Sequence, residues 1–162
     1  MSKKLPKVQI QSEAADVRLT PQEKLIFGIA SSQPKKDTHK HYPYVALKYF
    51  DNEWQCFSDW EKDELQQFSS FLKKLAGYTW QQVYETAGKP GTKHGLAYTK
   101  LDINSISDSA KEHLSRVRQQ ISDDIQFFEL RVNQNKLRVH GFQSQSAFFL
   151  ILLDREHQVC PV

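Results

Sequence analysis

The last fifth of the chain sets the strongest limits on the fold. It reads FFELRVNQNKLRVHGFQSQSAFFLILLDREHQV, from Phe127 to Val159. Phe127–Val132 has strand character, and Asn133-Gln134-Asn135 is a turn because asparagine tolerates left-handed backbone angles. Leu137–Phe142 is a second strand, and Gln143–Ser146 is a polar connection. Phe148–Leu153 is continuously apolar, which predicts a central strand covered on both faces. Asp154–Glu156 turns the chain again, and Gln158–Cys160 is expected to add a last short strand. Short polar turns between such runs give an antiparallel meander, and a meander with an apolar strand needs other elements to cover it.

The preceding residues supply that cover. Tyr44–Phe50 is rich in strand formers, Asp51-Asn52-Glu53 is turn chemistry, and Trp54–Phe57 follows, so a hairpin is expected there. Ser58-Asp-Trp-Glu61 has the capping-box pattern, and behind it Leu65, Phe68, Phe71, Leu72 and Leu75 recur at helical spacing up to Gly77. Thr79-Trp-Gln-Gln82 opens a short helix that Gly88 should end. Ala97–Leu101 suits a short strand. Ser107 or Ser109 caps a third helix with the stripe Ala110, Leu114, Val117 and Ile121. The predicted class is α+β: an antiparallel sheet, made of an N-terminal hairpin and a three- to four-strand meander, packed against two to three helices.

With 162 residues, the chain is long enough to bury a core without staples. Residues 1–40 carry eight Lys/Arg against four Asp/Glu, and the rest carry 14 against 15. The basic balance therefore belongs to a basic, partly flexible arm over residues 1–40. The core domain, residues 41–162, is not broadly basic, which argues against extensive wrapping by nucleic acid. Within the arm, Thr20–Ala30 can form a short capped helix, and SSQPKKDTHKH reads as a linker. No apolar run approaches the roughly 20 residues of a membrane span. The first residues lack the apolar centre of a secretory signal. Two cysteines, Cys56 and Cys160, are too few for a disulfide framework, so a cytoplasmic location is the expectation.

The C-terminal stretch is similar to the sheet of RelE/ParE-type toxins of bacterial toxin–antitoxin pairs. Leu130-Arg131-Val132, Leu137-Arg138-Val139 and Phe148–Asp154 match three successive elements of that sheet. The likeness covers about 35 residues, and the preceding helices agree with it in order only. The whole core also resembles a group of bacterial and phage-borne proteins of uncharacterised activity. That likeness rests on Cys-Phe-Ser-Asp-Trp, the Thr-Trp helix, the Lys-His-Gly loop and the Asp-x-x-His-x-Val-x-Pro end.

The toxin likeness implies RNA cleavage, on the ribosome or free, in which a 2′-hydroxyl attacks the adjacent phosphate. That chemistry needs a base, cations for the phosphorane and an acid for the leaving oxygen. Arg138 matches the arginine that stabilises phosphate charge in the ribonuclease branch, and Arg131 matches the arginine one strand earlier. The lysines of that earlier strand are replaced by Phe127 and Glu129. The missing proton-transfer roles fall to His140 and His157, with Lys136, Lys93, His94 and Arg155 as RNA contacts. The gyrase-poisoning branch of the superfamily has no such site, so fold alone does not decide function. A cognate antitoxin is implied as a partner, on the apolar groove between helix and sheet.

The same residues carry a plainer reading. Arg138, His140 and Phe142 alternate with Leu137, Val139 and Gly141, as in any sheet with one solvated face. KPGTKHG (Lys89–Gly95) lacks the spacing of a phosphate-binding loop and reads equally as a surface loop. His39-Lys-His41 has no further ligands at metal spacing, so no metal and no cofactor is expected. Cys56 reads as a packed strand residue, and Trp54, Trp60 and Trp80 as core anchors. The expectation is a toxin-like protein acting on RNA or a translation component. The alternative is a non-enzymatic module that grips a protein partner.

Overall fold

A computed structural model describes residues 35–87 and 95–161. The first 34 residues, Thr20–Ala30 included, and the loop residues 88–94 lie outside the described residues. A 3-10 helix at Lys35–Lys40 leads into β1 (Tyr44–Ala46). After a second 3-10 turn at Phe57–Asp59 come α1 (Lys62–Ala76) and α2 (Trp80–Glu85). Then follow β2 (Thr99–Lys100), α3 (Asp108–Gln120), β3 (Phe127–Arg131), β4 (Arg138–Ser144) and β5 (Ala147–Asp154).

The strands form one five-stranded sheet in the order β1-β5-β4-β3-β2. The class is α+β, as expected, and the meander is present. The predicted N-terminal hairpin is not. β1 pairs parallel with β5, and Trp54–Phe57 is no strand. Asp51 still belongs to the sheet edge, because its amide donates to Ile151 O. β1 instead takes the free edge of β5, over Tyr44–Ala46.

Two cores lie on opposite faces of the sheet. On one face α1 and α2 bury Phe68, Phe71, Leu75, Trp80 and Val83 against Phe128, Leu130, Val139 and Leu150. On the other face α3 buries Ala110, Leu114, Val117 and Ile121 against Phe127, Phe142, Phe149 and Ile151. All eight residues of β5 are buried, as a strand covered on both sides requires. Trp60 and Trp80 are core anchors on the α1 side of the sheet, and Trp54 is partly buried against the α3-side core.

The caps differ in detail. Ser58 sits inside the 3-10 turn, so the cap moves to Glu61, whose amide donates to the Glu64 carboxylate. Thr79 caps α2 as expected: its hydroxyl accepts from the Gln82 amide, and the Gln82 side chain accepts from the Thr79 amide. Ser107 caps α3. Gln158–Cys160 form no strand. The Asp154 carboxylate takes the amides of Gln158 and Val159 instead, closing the segment into a turn.

One irregularity positions the site. β4 and β5 shift register between His140 and Gly141, so that Ile151 has no partner. On β5, Ala147, Phe149 and Ile151 face α3 by simple alternation, which would send Asp154 to the opposite face. The bulge resets the alternation, and Leu152 joins Ile151 on the α3 side. Asp154 then points to the same side as His140. Gly141 makes the close approach possible: a Cβ there would lie 1.9 Å from Phe149 O.

Candidate functional site: a buried charge relay under the sheet end

β3, β4 and the turn after β5 bring five ionisable side chains together. On β3, Phe127, Glu129 and Arg131 share a face, and on β4 so do Arg138 and His140. The register pairs Glu129 with His140 and Arg131 with Arg138, one residue further than a turn centred on Gln134 would give. Asn133 causes the difference, since its side chain accepts the amides of Asn135 and Leu137 and closes a longer loop.

His140 lies at the centre, with no solvent exposure. Its Nε2 is 3.2 Å from Asp154 Oδ2 and 3.8 Å from Glu129 Oε2. Only the first is a hydrogen-bonding distance. His140 Nδ1 is buried without a partner. Glu129 is the junction: Oε1 is 3.3 Å from Arg138 Nε, and Oε2 is 3.3 Å from His157 Nε2. From the interior outward the side chains line up as Asp154, His140, Glu129 and His157, with the His140–Glu129 step too long for a hydrogen bond. The side chain of His157 is 23% exposed and that of Glu129 is 10%. His157 has a positive φ of 55°, an arrangement that strains a non-glycine residue and aims its ring back at Glu129.

The electrostatics follow from burial and neighbours. Burial alone would raise the Asp154 carboxyl, but the His140 hydrogen bond and charge and the two turn amides outweigh it and hold the group below the ordinary range. Burial pushes the Arg138 guanidinium down, and Glu129 opposes that. Arg138 also donates to the carbonyls of Asn133 and Leu137. Cys160 borders the cluster. Burial, then Glu129 and Asp154, push its thiol up to about 11, so it is a poor nucleophile.

The expectation of a solvated face fails for the central pair. Arg138 and His140 are both inside the protein. A flat, wet sheet face would have left them in water, but Asp154 and the C-terminal turn it holds close over this end. Arg155 is tied to Glu64 through Nε, 2.8 and 2.9 Å from its two oxygens, and lies 3.6 Å from Glu61. Lys136 is 3.4 Å from Glu156. Arg131 differs from these cations. Among the described residues it has no carboxylate within ion-pair distance, and its buried Nε has no partner. Lys74, on the last turn of α1, is lowered by burial and then by the charge of Arg131, so a second cation lies in its field. Lys93 and His94 lie outside the described residues.

Sequence reasoning missed Glu129 and Asp154 as members of the site. The first was seen only as a departure from a lysine pattern and the second only as a turn residue. The Asp-x-x-His spacing at 154–157 was the available signal. Cys56 is not on a strand. It precedes the 3-10 turn, and its amide donates to Asp59.

A second cluster lies where α3 meets the loop after β1. Asp51, Glu53 and His113 hold three potential ligand atoms within 4.8 Å of one another. Arg116 already occupies the space, 2.9 Å from Glu53 and 3.2 Å from His113 Nδ1. His113 Nδ1 is 2.5 Å from Asp51 Oδ2. A guanidinium here does what a cation would, and the cluster reads as a clamp of α3 onto the loop. Among the described residues no helix is long and apolar enough to cross a membrane.

The chain matches no protein-family model, no curated protein and no solved structure.

Proposed function

We propose that this protein is a toxin-like, metal-independent ribonuclease acting on RNA or a translation component, with His157 as the proton-transfer residue. One observation carries the reading. His157 is the water-reaching end of a relay whose other members are buried, and its backbone is held at positive φ to face Glu129. Clustered titratable groups with one accessible end, and strain at that end, are what acid–base sites look like. In this scheme His157 takes the proton from a 2′-hydroxyl, and the hydroxyl oxygen bonds to the adjacent phosphorus. The 5′ oxygen leaves and takes a proton from water. Glu129 orients the imidazole, and Arg138 fixes Glu129. Arg131, two residues along β3 and about 7 Å away by strand rise, meets the phosphate charge. Arg138 thereby moves from phosphate contact to positioning residue.

An antitoxin would be expected over this end of the sheet. The groove between α1 and the end of β3, of about 410 Å³, offers Phe71 and Val132 among Gln66, Ser70 and Lys74. It is more polar than the sequence suggested.

The test is induced expression of wild type and His157→Ala, with RNA integrity followed on gels. Growth arrest with RNA cleavage in wild type, lost in His157→Ala while the variant melts like wild type, supports the reading. Equal effects of both, or none from either, sink it. A second reading is favoured by a separate observation. Arg138 and Arg155 are both committed to carboxylates of the protein itself, as in a protein-binding module whose charges serve the fold. In that case wild type is harmless and the protein co-purifies with a defined partner.

A further inference from the structure

Among the described residues the exposed large hydrophobic side chains fall within six residues of one another. Tyr42 is 59% exposed, Tyr44 41% and Leu47 51%. Tyr42 and Tyr44 flank the buried Pro43. Tyr44 opens β1, an edge strand bonded on one side to β5, and Tyr42 lies just before it. His39 and Lys40 precede them and Lys48 follows, all exposed. The sequence from Lys35 to Lys48 holds four lysines against one aspartate, a balance of +3. The core from residue 41 onward has a balance of −1, with 14 basic against 15 acidic residues.

Exposed aromatic rings near exposed lysines fit one ligand chemistry best. Bases stack on aromatic faces, and the adjacent phosphates need positive charge. A second copy of the chain fits poorly, because a two-fold contact would set the same cationic segment against itself. We infer that Tyr42 and Tyr44 form a stacking platform for single-stranded RNA, with Lys40 and Lys48 on its phosphates. This rests on the RNA reading above and supplies what that reading lacks, a grip on substrate away from the His157 end.

The experiment measures binding of the full chain to a short fluorescent uridine-only RNA by anisotropy, at low and at moderate salt. The double variant Tyr42→Ala/Tyr44→Ala should bind about tenfold or more weakly, since two stacked bases are lost. Tyr42→Phe/Tyr44→Phe should bind like wild type, because the rings remain. Lys40→Gln/Lys48→Gln should weaken binding and flatten its salt dependence. Unchanged binding by the alanine pair overturns the proposal. So does weaker binding that coincides with a dimer falling to monomer in light scattering. His157→Ala separates the two claims. Tyrosine-dependent binding without cleavage by wild type leaves the platform standing and removes the ribonuclease. Cleavage that needs His157 but not the tyrosines does the reverse.

Discussion

His140 and Asp154 face each other across β4 and β5 with Nε2 and Oδ2 3.2 Å apart, and neither side chain has any solvent exposure. Asp154 also holds the turn that carries His157, through the amides of Gln158 and Val159. One buried carboxylate thus joins the sheet interior to the accessible end of the relay.

This joint makes stability depend on pH in a defined direction. Asp154 and Asp51 are both held below the ordinary carboxyl range, the first by His140 and the turn amides and the second chiefly by His113, in each case against the opposing effect of burial. A carboxyl lowered in the folded state contributes stability above its unfolded value, near 3.9, and loses it as pH falls through the folded value. Urea midpoints should therefore drop as pH goes below about 4. Asp154→Asn should flatten that drop and cost about 3–5 kcal/mol at neutral pH, by leaving His140 without its partner.

Arg138→Ala should destabilise by a similar ~3–5 kcal/mol, because Glu129 loses its guanidinium in a nearly dry site. Lost toxicity in that variant would report unfolding as readily as lost chemistry. His157→Ala removes a 23%-exposed ring and should shift the melting midpoint far less. Comparing the two by thermal melts and by growth assay separates scaffold from chemistry.

Gly141→Ala should fail to give soluble, cooperatively folded protein. The added methyl would overlap the Phe149 carbonyl at 1.9 Å and crowd the Phe148 ring at 2.8 Å. The neighbour is backbone in a central strand pair and has nowhere to go, so the cost should reach about 3 kcal/mol or more. A melt with a normal midpoint would contradict this account of the bulge.

Arg155→Ala should cost at most about 1 kcal/mol, since its pair with Glu64 and Glu61 is partly exposed. It should leave RNA binding within twofold of wild type if the carboxylates already hold the guanidinium. A large loss of binding would return Arg155 to the list of RNA contacts.

The sequence determined the two amphipathic helices, the capped α2 and the meander, because each is written in local periodicity and turn chemistry. The apolar run of β5 and the stripe Ala110, Leu114, Val117, Ile121 needed no tertiary information. It also put Arg138 and His140 on one face, with Arg131 on the strand before, and named His157 as a candidate without placing it beside them. Three things depended on the tertiary structure. β1 pairs parallel with β5, a long-range match that no hairpin signal reveals. The face carrying Arg138 and His140 is buried, with Asp154 and the C-terminal turn it holds closing over this end. Asp154 joins that face only because a bulge at Ile151 reverses the alternation. A two-residue period read from sequence carries no mark of such a shift, since the extra residue is apolar like its neighbours.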